Sequence, residues 1–478
     1  MKIRFVLIVF AFLLLALYAA FIHQDDTITQ AQAGYATLIV MLGALPGVVS
    51  LIDRREAGLL PLMPLHGLFY ALTFGLPVFS SKMDWSRVNS AVISDALVLT
   101  ILGLICLYLG YYASRGLYSR SLRPIRFLND VPLKRRIGIA WILYGMSMLF
   151  QLVPALGSLP SVGQLSTPLG YLSTGILFLL ALDKAVSKKH LMLLTAAIGF
   201  SLTIKLLSGT VALPVFLLVF LGILYWGKKR SIPLGLILIS SVIAILLNPN
   251  IQQIKHNYRE YTWVATDSLS QSYVYKARMF YKATYDYYAN DDTVSSGGIN
   301  TGVVNRIGHS ISVFADVINM TPEQVPYWRG GSYQTLWTSF IPRFLWPGKP
   351  QATIGNEFGH RYNFLGPTDK STSHNLPWLP EFYANFGIFG VLGGMFAVGV
   401  LFRFLVQKLS VPISSSIEYV LGATVTFSLF YAESNFALMV GGVLTTYLAL
   451  LILLRLLTLD SIPAITNRWR LTRWHFRR

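Results

Sequence analysis

Apolar stretches long enough to cross a lipid bilayer recur along almost the whole chain, and one long polar segment interrupts them. A helix needs roughly 17–25 apolar residues to cross a hydrocarbon core of about 30 Å. Windows of this kind lie at about 5–22, 35–52, 59–80, 91–113, 137–156, 168–187, 191–207, 210–226, 232–247, 384–406, 416–432 and 436–457. The pattern predicts about twelve transmembrane helices, because a backbone inside lipid must satisfy its hydrogen bonds internally.

The spacing of these stretches divides the chain into four regions. Residues 1–247 form an N-terminal transmembrane region of about nine helices, and residues 384–457 supply about three more. The polar segment 248–383 between them is predicted to be a large external loop, and a basic tail, residues 458–478, follows the last helix. The predicted fold is therefore an all-α, polytopic membrane helical bundle whose large loop contains amphipathic helices.

The composition agrees with a protein that lies in the membrane. Hydrophobic residues make up 54% of the chain and charged residues only 13%, whereas about a quarter of the residues in a soluble domain are charged. The first apolar stretch lacks a small-residue cleavage site, which favours a retained helix over a removed signal peptide. The single cysteine, Cys106, lies in a predicted span and has no partner for an intrachain disulfide.

Lysine and arginine residues concentrate in alternate connections between the predicted spans. An excess of these residues marks cytoplasmic loops. With a cytoplasmic N-terminus, the basic residues on that side are Lys2, Arg4, Arg54, Arg55, the cluster within 115–136, Lys184, Lys188, Lys189, Lys228, Lys229, Arg230, Arg403, Lys408 and those of 455–478. The short external connections hold only Lys82 and Arg87. We therefore predict that both termini are cytoplasmic and that the large loop is external.

This orientation also accounts for the formal net charge of +18. Cytoplasmic basic residues attract the anionic head groups of membrane lipids, so the expected partner of this charge is lipid. The large loop, where chemistry is expected, is nearly neutral. The charge therefore gives no reason to expect a nucleic-acid partner.

The large loop has an internal organisation of its own. Residues 251–289 have the apolar periodicity of one amphipathic helix, rich in tyrosine, which suits the head-group level of a membrane. A second helix is predicted at about 300–320, and the segment from Pro322 onward is predicted to be irregular. Irregular backbone near a membrane must be buried in protein or line a wet cavity. A cavity of this kind suits a polar, lipid-linked substrate.

The chemistry-bearing residues of the loop are mainly cations and aromatic rings. No zinc, redox or nucleotide motif occurs, and the pair Asp291-Asp292, beside Ser and Gly, is typical of a solvated turn rather than of a metal site. Arginine binds phosphate oxygens through two N–H groups, and flat aromatic rings pack against the apolar faces of sugars. The relevant side chains are Arg306, His309, Trp328, Arg329, Trp337, Arg343, Trp346, Lys349, His360, Arg361, His374 and Trp378.

Residues 339–390 carry the most specific signal in the sequence. The run 341–350 reads IPRFLWPGKP and resembles a signature of bacterial Wzy-type oligosaccharide repeat-unit (O-antigen) polymerases. The run 355–359 (GNEFG) follows as it does in that family. Further on, 372–375 (TSHN), Glu381, 385–387 (NFG) and Gly390 resemble a second segment of the family and, in part, the related O-antigen ligases. Outside this region the resemblance is one of topology.

The resemblance implies a metal-independent, inverting glycosyltransferase of the bacterial inner (cytoplasmic) membrane, with its large loop in the periplasm. The growing glycan would leave one undecaprenyl diphosphate and join a sugar of another lipid-linked repeat unit. The implied partners are undecaprenyl-diphosphate-linked oligosaccharide, membrane lipid, and chain-length regulator and flippase proteins. No cofactor and no metal are implied.

This chemistry gives individual residues expected roles. The departing diphosphate requires fixed positive charge, for which Arg343, Lys349 and Arg361 are the first candidates, with Arg306 and Arg329 in support. Arg343 lies between two prolines, so a purely structural role remains an alternative for it.

The acceptor hydroxyl requires a group that takes its proton, and the sugars require aromatic and amide contacts. A histidine with an ordinary pKa near 6.5 suits proton transfer, so His374 is the first candidate base and Glu381 the second. A hydrogen-bonded turn and a charge at a helix N-terminus are their respective structural alternatives. The candidate sugar-binding residues are Trp337, Trp346, Asn375 and Trp378.

Three other functions stay open at this point. An O-antigen ligase has the same architecture and transfers glycan to a lipid acceptor instead. A transporter or flippase of lipid-linked oligosaccharide would place more charges within its spans. In this chain the main charges within a span or at its edge are Asp95, Lys205 and Glu433. An enzyme that uses sugars on polyprenyl monophosphate would rely on Asp25-Asp26, in an external loop that is short for such enzymes.

Overall fold

The computed structural model describes most of the chain in separate stretches. These are residues 28–53, 56, 59–116, 131–157, 159, 163–207, 212–229, 231, 254, 257–258, 260–262, 273–289, 304–341, 345–350, 353–370, 372–410 and 416–458. The predicted spans 5–22 and 232–247 lie outside these stretches, as do both acidic pairs, Asp25-Asp26 and Asp291-Asp292, and almost the entire basic tail.

The described residues form helices and connecting segments, with no β-strand among them. The α-helices are α1 Gln30–Ile52, α2 Leu62–Tyr70, α3 Ser90–Ala113, α4 Leu133–Leu152, α5 Pro154–Gly157, α6 Ser166–Leu182, α7 Lys188–Leu206, α8 Ala212–Lys229, α9 Tyr273–Ala289, α10 His309–Met320, α11 Thr335–Ser339, α12 Ile354–Arg361, α13 Trp378–Leu409, α14 Ser416–Phe427 and α15 Phe436–Thr458. Single π or 3-10 turns lie at Ala71–Gly75, Leu76–Phe79, Gly163–Leu165, Gly331–Tyr333 and Ser428–Phe430. The predicted all-α class is confirmed for this part of the chain.

Seven helices in the described stretches are long and apolar enough to cross a membrane. They are Gln30–Ser50, Leu62–Phe79, Ser90–Ala113, Gly163–Leu182, Lys188–Leu206, Trp378–Leu409 and Phe436–Thr458. Each coincides with a predicted span. Helices α4 and α8 lie at two more predicted positions, and a shorter apolar helix, Ile417–Phe430, occupies the position predicted at 416–432.

The helices of the large loop differ in part from the expectation. Helix α9 lies within the predicted amphipathic helix 251–289, and α10 lies within the predicted 300–320. The segment after Pro322 is less irregular than predicted, since α11 and α12 form there. Helix α13 begins at Trp378, before the predicted boundary at 384, because Pro377 precedes it and Pro380 is tolerated in a first turn.

Helices α3 and α13 form the most extensive helix pair of the bundle. They lie side by side in the same direction, so the starts of both helices are at one end. Gly110 allows this approach, because a Cβ atom there would lie 2.1 Å from the Phe396 carbonyl oxygen. Small residues at crossings commonly bring membrane helices into close contact.

Helix α13 is broken near its start. Phe386 and Gly387 leave helical geometry, and Gly387 has φ 61° and ψ −144°, a conformation essentially restricted to glycine. The carbonyl oxygens of Ala384 and Asn385 instead accept the backbone N–H groups of Trp328 and Arg329, at 2.8 and 3.2 Å. The break therefore fastens the large loop to the first turns of α13.

A buried ion pair lies at the opposite end of α13. Arg403 Nη1 is 2.8 Å from Glu56 Oε1, and both side chains are almost fully buried. The Tyr111 hydroxyl donates to the other oxygen of Glu56 at 3.2 Å. The bundle thus has one polar network at each end of α13, and the network at the start of the helix holds the residues singled out by the sequence.

Candidate functional site

A short polar loop joins the apolar helices at the end of the bundle where α13 begins. This site loop, residues 431–435, reads YAESN and precedes α15. Trp378, the first residue of α13, donates its backbone N–H to the Ala432 carbonyl at 3.2 Å and its indole N–H to the Ser434 carbonyl at 2.9 Å. The site loop is therefore fixed against the start of α13.

Glu433 is the centre of a charged network on this loop. Its carboxylate accepts both branches of the Arg306 guanidinium, at 3.3 Å from Nη1 and 2.9 Å from Nη2. The Tyr431 hydroxyl donates to Glu433 Oε2 and accepts from Arg306 Nη2 at 2.9 Å. The Asn375 amide donates to the same carboxylate at 3.2 Å. Such a forked arginine–carboxylate pair is among the stronger hydrogen-bonded arrangements in proteins.

The two partners of this ion pair differ in exposure. The Glu433 side chain is 4% exposed and the Arg306 side chain 52% exposed. Burial alone would lower the pKa of Arg306, but the Glu433 carboxylate and Tyr431 raise it above its usual value. Arg306 therefore stays charged and presents a cationic surface, while its counter-charge is buried behind it.

Two histidine rings lie next to this network. The ring centroids of His309 and His374 are 4.9 Å apart. His374 also stacks on Phe364, with ring planes within 10° and centroids 4.4 Å apart. Its Nδ1 lies 3.1 Å from the Asn375 carbonyl oxygen. Since a carbonyl oxygen only accepts, Nδ1 carries the proton in the neutral ring and Nε2 keeps a free lone pair.

Both imidazoles are held in the neutral form. Burial lowers the pKa of His309 to about 4, and the nearby His374 contributes in the same direction. Burial also lowers the pKa of His374, and the Arg87 charge adds to this effect. At neutral pH both rings are therefore able to accept a proton.

Glu381 holds the site loop from the other side. Its carboxylate accepts hydrogen bonds from the Ser332 hydroxyl, the Asn435 amide and the Phe436 backbone N–H, each at 2.7 Å. Asn385 in turn donates to Ser332 at 2.9 Å. Glu381 has no exposed surface. These three donors hold the Glu381 carboxylate in the core, and its role as second proton acceptor stays a prediction.

Comparison with known proteins gives a family for this chain. The model of a domain of unknown function, DUF8712, matches residues 118–464, which include the large loop and the site loop. The chain belongs to the DUF8712 family. No curated protein and no solved structure matches the chain significantly. The family description carries no activity.

Two of the predicted phosphate-binding cations in the DUF8712 segment contact backbone carbonyls. The Arg361 guanidinium donates to the Pro326 carbonyl and lies 5.2 Å from the centre of the Trp328 ring. The Lys349 ammonium donates to the Ile341 carbonyl at 3.0 Å.

The remaining predicted cations have different positions. Arg329 is exposed and has a left-handed backbone conformation with φ 51°, next to the break in α13. Arg343 lies outside the described residues. Of the five cations, Arg306 is tied to the His309–His374 pair through Glu433 and Asn375.

The predicted sugar-binding residues separate into buried and exposed groups. Trp378 is fully buried among rings that include His66 and Phe402, and its predicted role in sugar binding stays a prediction. Trp337 is 77% exposed and Trp346 is 39% exposed, so both offer a ring surface. The side-chain amide of Asn375 donates a hydrogen bond to the Glu433 carboxylate.

Glu433, the central residue of this network, was not among the site residues predicted from the sequence. Glu433 counted only as a charge at the border of a span, and His309 only as one of several loop cations. A signal was present, because the polar run 431–435 separates two strongly apolar segments. Lipid provides no hydrogen bonds, so a run of this kind needs protein partners.

The described residues contain no group of three or more His, Cys, Asp or Glu side chains suited to hold a metal ion. Asp291 and Asp292 lie outside these residues. The sequence-based expectation of a metal-independent reaction therefore stays a prediction.

Proposed function

We propose that this DUF8712 protein is a membrane-embedded glycosyltransferase that polymerises undecaprenyl-diphosphate-linked oligosaccharide repeat units into O-antigen or exopolysaccharide. One observation carries the proposal most strongly. A neutral histidine, His374, with a free Nε2 lone pair contacts His309 and Asn375, which connect it to the Arg306–Glu433 ion pair at one end of an apolar helix bundle. A proton acceptor and a cation near the membrane surface suit a reaction that deprotonates a hydroxyl and releases a lipid diphosphate.

The proposed reaction transfers one glycosyl group with inversion. The acceptor hydroxyl oxygen attacks the anomeric carbon of the donor glycan, and the bond between that carbon and the diphosphate oxygen breaks. His374 Nε2 takes the hydroxyl proton, and undecaprenyl diphosphate leaves with the bonding electron pair. General base catalysis of this type contributes about 10²- to 10⁴-fold.

The leaving diphosphate needs more positive charge than Arg306 alone provides. Glu433 already neutralises part of that charge, as the forked ion pair shows. We therefore retain Lys349, Arg361, Arg329 and Arg343 as proposed phosphate-binding residues. Fixed cations stabilise the charge that develops in the transition state. Trp337 and Trp346 are retained as sugar-binding residues on the basis of their exposed rings.

The finer arrangement in the membrane belongs to the same proposal. We infer about twelve spans, cytoplasmic termini and a periplasmic loop 248–383 in the bacterial inner membrane, from apolar windows and basic residues. A reporter fused near Gly297 is expected to register outside the cytoplasm, and one fused after Arg478 inside it. Cytoplasmic labelling of the large loop would contradict the proposal, because polymerisation uses repeat units presented on the outer leaflet.

Glycan analysis of a deletion strain tests the proposed activity. Loss of the protein is expected to abolish long polymer while a single repeat unit is retained on the cell surface. Loss of all attached glycan would instead identify an O-antigen ligase. Unchanged glycan of every length would reject both transferases.

A further inference from the structure

Arg87 reaches from a short connection of the N-terminal region to the large loop. It lies just before α3. Its guanidinium donates to the Tyr362 carbonyl at 3.1 Å and lies 3.4 Å from Asp316 Oδ2. The Arg87 carbonyl accepts from the Asn319 amide at 3.2 Å. These contacts hold the guanidinium in one orientation although its side chain is 44% exposed.

The same guanidinium lies over a ring that stacks on His374. The Arg87 Cζ atom is 4.8 Å from the centre of the Phe364 ring. Phe364 and His374 are nearly parallel at 4.4 Å, and His309 follows at 4.9 Å. Arg87, Phe364 and His374 therefore form one stack, and the His309 ring, tilted by 53° from the His374 plane, lies at its end. Cation–π contacts and offset ring pairs each favour this arrangement.

We propose that Arg87 is a positioning residue for His374, acting on the imidazole through the Phe364 ring and through its own positive charge. The inference rests on the proposed function for its catalytic consequence, but the geometry that carries it does not. Arg87 precedes the matched segment 118–464, so this contribution comes from outside the DUF8712 segment. The N-terminal helices would thus complete the site rather than only surround it.

Charged and titratable groups lie around His374 on the elements packed against it. They are His309 from α10, Arg87 from the connection before α3, Asp316 behind Arg87, and the Arg306–Glu433 pair beside His309. Burial raises the pKa of Asp316 to about 6, whereas Arg87 lowers it. Above that pH, Asp316 offsets part of the Arg87 charge. Below it, the Arg87 charge acts on His374 more fully.

The charge effect has a definite sign. Arg87 lowers the pKa of His374, so removal of its charge raises that pKa toward the ordinary value. A base works only in its neutral form. Without Arg87, the loss of activity toward acidic pH therefore begins at a higher pH than in the wild type.

Three variants of the full-length protein separate the two contributions. Arg87→Gln removes the charge and most of the contacts. Arg87→Lys keeps the charge and loses the fork that reaches Asp316 and Tyr362 together. Lys82→Gln removes an exposed charge from the same connection, without a part in the stack, and serves as the matched control.

Two readouts are measured on each purified variant across pH 5–9. The first is the rate of glycosyl transfer. The second is the rate at which diethyl pyrocarbonate modifies His374, followed by peptide mass spectrometry, because this reagent attacks the neutral imidazole. We expect Arg87→Gln to lower the transfer rate roughly 10- to 100-fold, the scale of a misplaced catalytic group. Both pH midpoints should move to higher pH.

Arg87→Lys is expected to lose rate while its midpoints stay near those of the wild type, and Lys82→Gln is expected to change neither. Unchanged rate and midpoints in Arg87→Gln would overturn the inference. A rate loss in Arg87→Gln without a shift of either midpoint would also overturn the inference, because it would indicate a purely structural role for Arg87. If the wild type transfers no glycan, the proposed function fails, and the His374 modification midpoints still decide the role of Arg87.

Discussion

Replacement of His374 with alanine is expected to lower the rate of glycosyl transfer by about 100- to 10,000-fold, the usual contribution of a general base. The variant loses the Nε2 lone pair that the Asn375 carbonyl leaves free. It retains the Arg306–Glu433 pair, so binding of the lipid-linked donor should persist. The measurement is the initial rate with purified protein, together with donor binding.

The pH dependence of the wild type belongs to this prediction. Burial lowers the pKa of His374, so activity should persist to a pH below the ordinary histidine value of 6.5 and then fall as the ring becomes protonated. His190→Ala, outside the site, is the control imidazole and should leave rate and profile unchanged. Full activity of His374→Ala at normal protein levels would remove His374 from the mechanism.

The expected independence from metal is tested in the same assay. Cationic side chains, rather than Mg²⁺, are proposed to stabilise the departing diphosphate. Addition of EDTA should therefore leave the wild-type rate unchanged. Strict dependence on a divalent ion would contradict the proposed mechanism and direct attention to Asp25-Asp26 or Asp291-Asp292.

The Arg306–Glu433 pair is expected to respond asymmetrically to substitution. Arg306→Ala leaves a buried carboxylate without its cation, which should destabilise the protein by about 3 kcal/mol. Glu433→Ala leaves a half-exposed guanidinium that water can solvate, so its cost should be about 1 kcal/mol. The double variant should resemble Glu433→Ala, because the uncompensated carboxylate is gone.

Thermal unfolding of the purified variants in detergent measures this cycle. Lys370→Ala removes an exposed charge from the same loop and should have almost no effect. Equal losses from the two single variants, with additive behaviour in the double variant, would mean that the ion pair does not act as a unit. All Arg306 variants should also lose transfer activity, since the cationic surface of the site is gone.

The sequence predicted the apolar helices well because hydrophobic windows depend on local composition alone. Helices such as α3 and α15 lie almost where the windows place them. The start of α13 was predicted too late, because aromatic and polar residues of its first turns, such as Glu381 and Asn385, resemble a loop. In the folded protein Glu381 and Asn385 are buried, and they form hydrogen bonds with Ser332 and Asn435 from distant segments.

The site was predicted only in part, for the same physical reason. Arg306 and Glu433 lie 127 positions apart in the chain, and no periodicity connects them. The sequence identified His374 and Arg306 as residue types suited to the chemistry. It could not show that Trp378 faces the core whereas Trp337 faces outward, because exposure depends on which helices pack against each ring.

The DUF8712 match extends over the large loop and the site loop and carries no activity of its own. A glycosyltransferase in this family would rely on two neutral histidines, one forked ion pair and a stack anchored from the N-terminal helices. Each of these features joins segments that are distant in sequence. A homologue with a different N-terminal region could therefore retain the Arg306–Glu433 pair and still lack the support that Arg87 gives to His374.

The central claim is tested most directly by product analysis with the purified protein and its own substrate. The deletion strain is expected to accumulate undecaprenyl-diphosphate-linked single repeat units, which are extracted and returned to the protein in lipid nanodiscs. We expect a ladder of glycans longer by whole repeat units, formed in the presence of EDTA and lost in His374→Ala. Folded wild-type protein that leaves the single repeat unit unextended would contradict it.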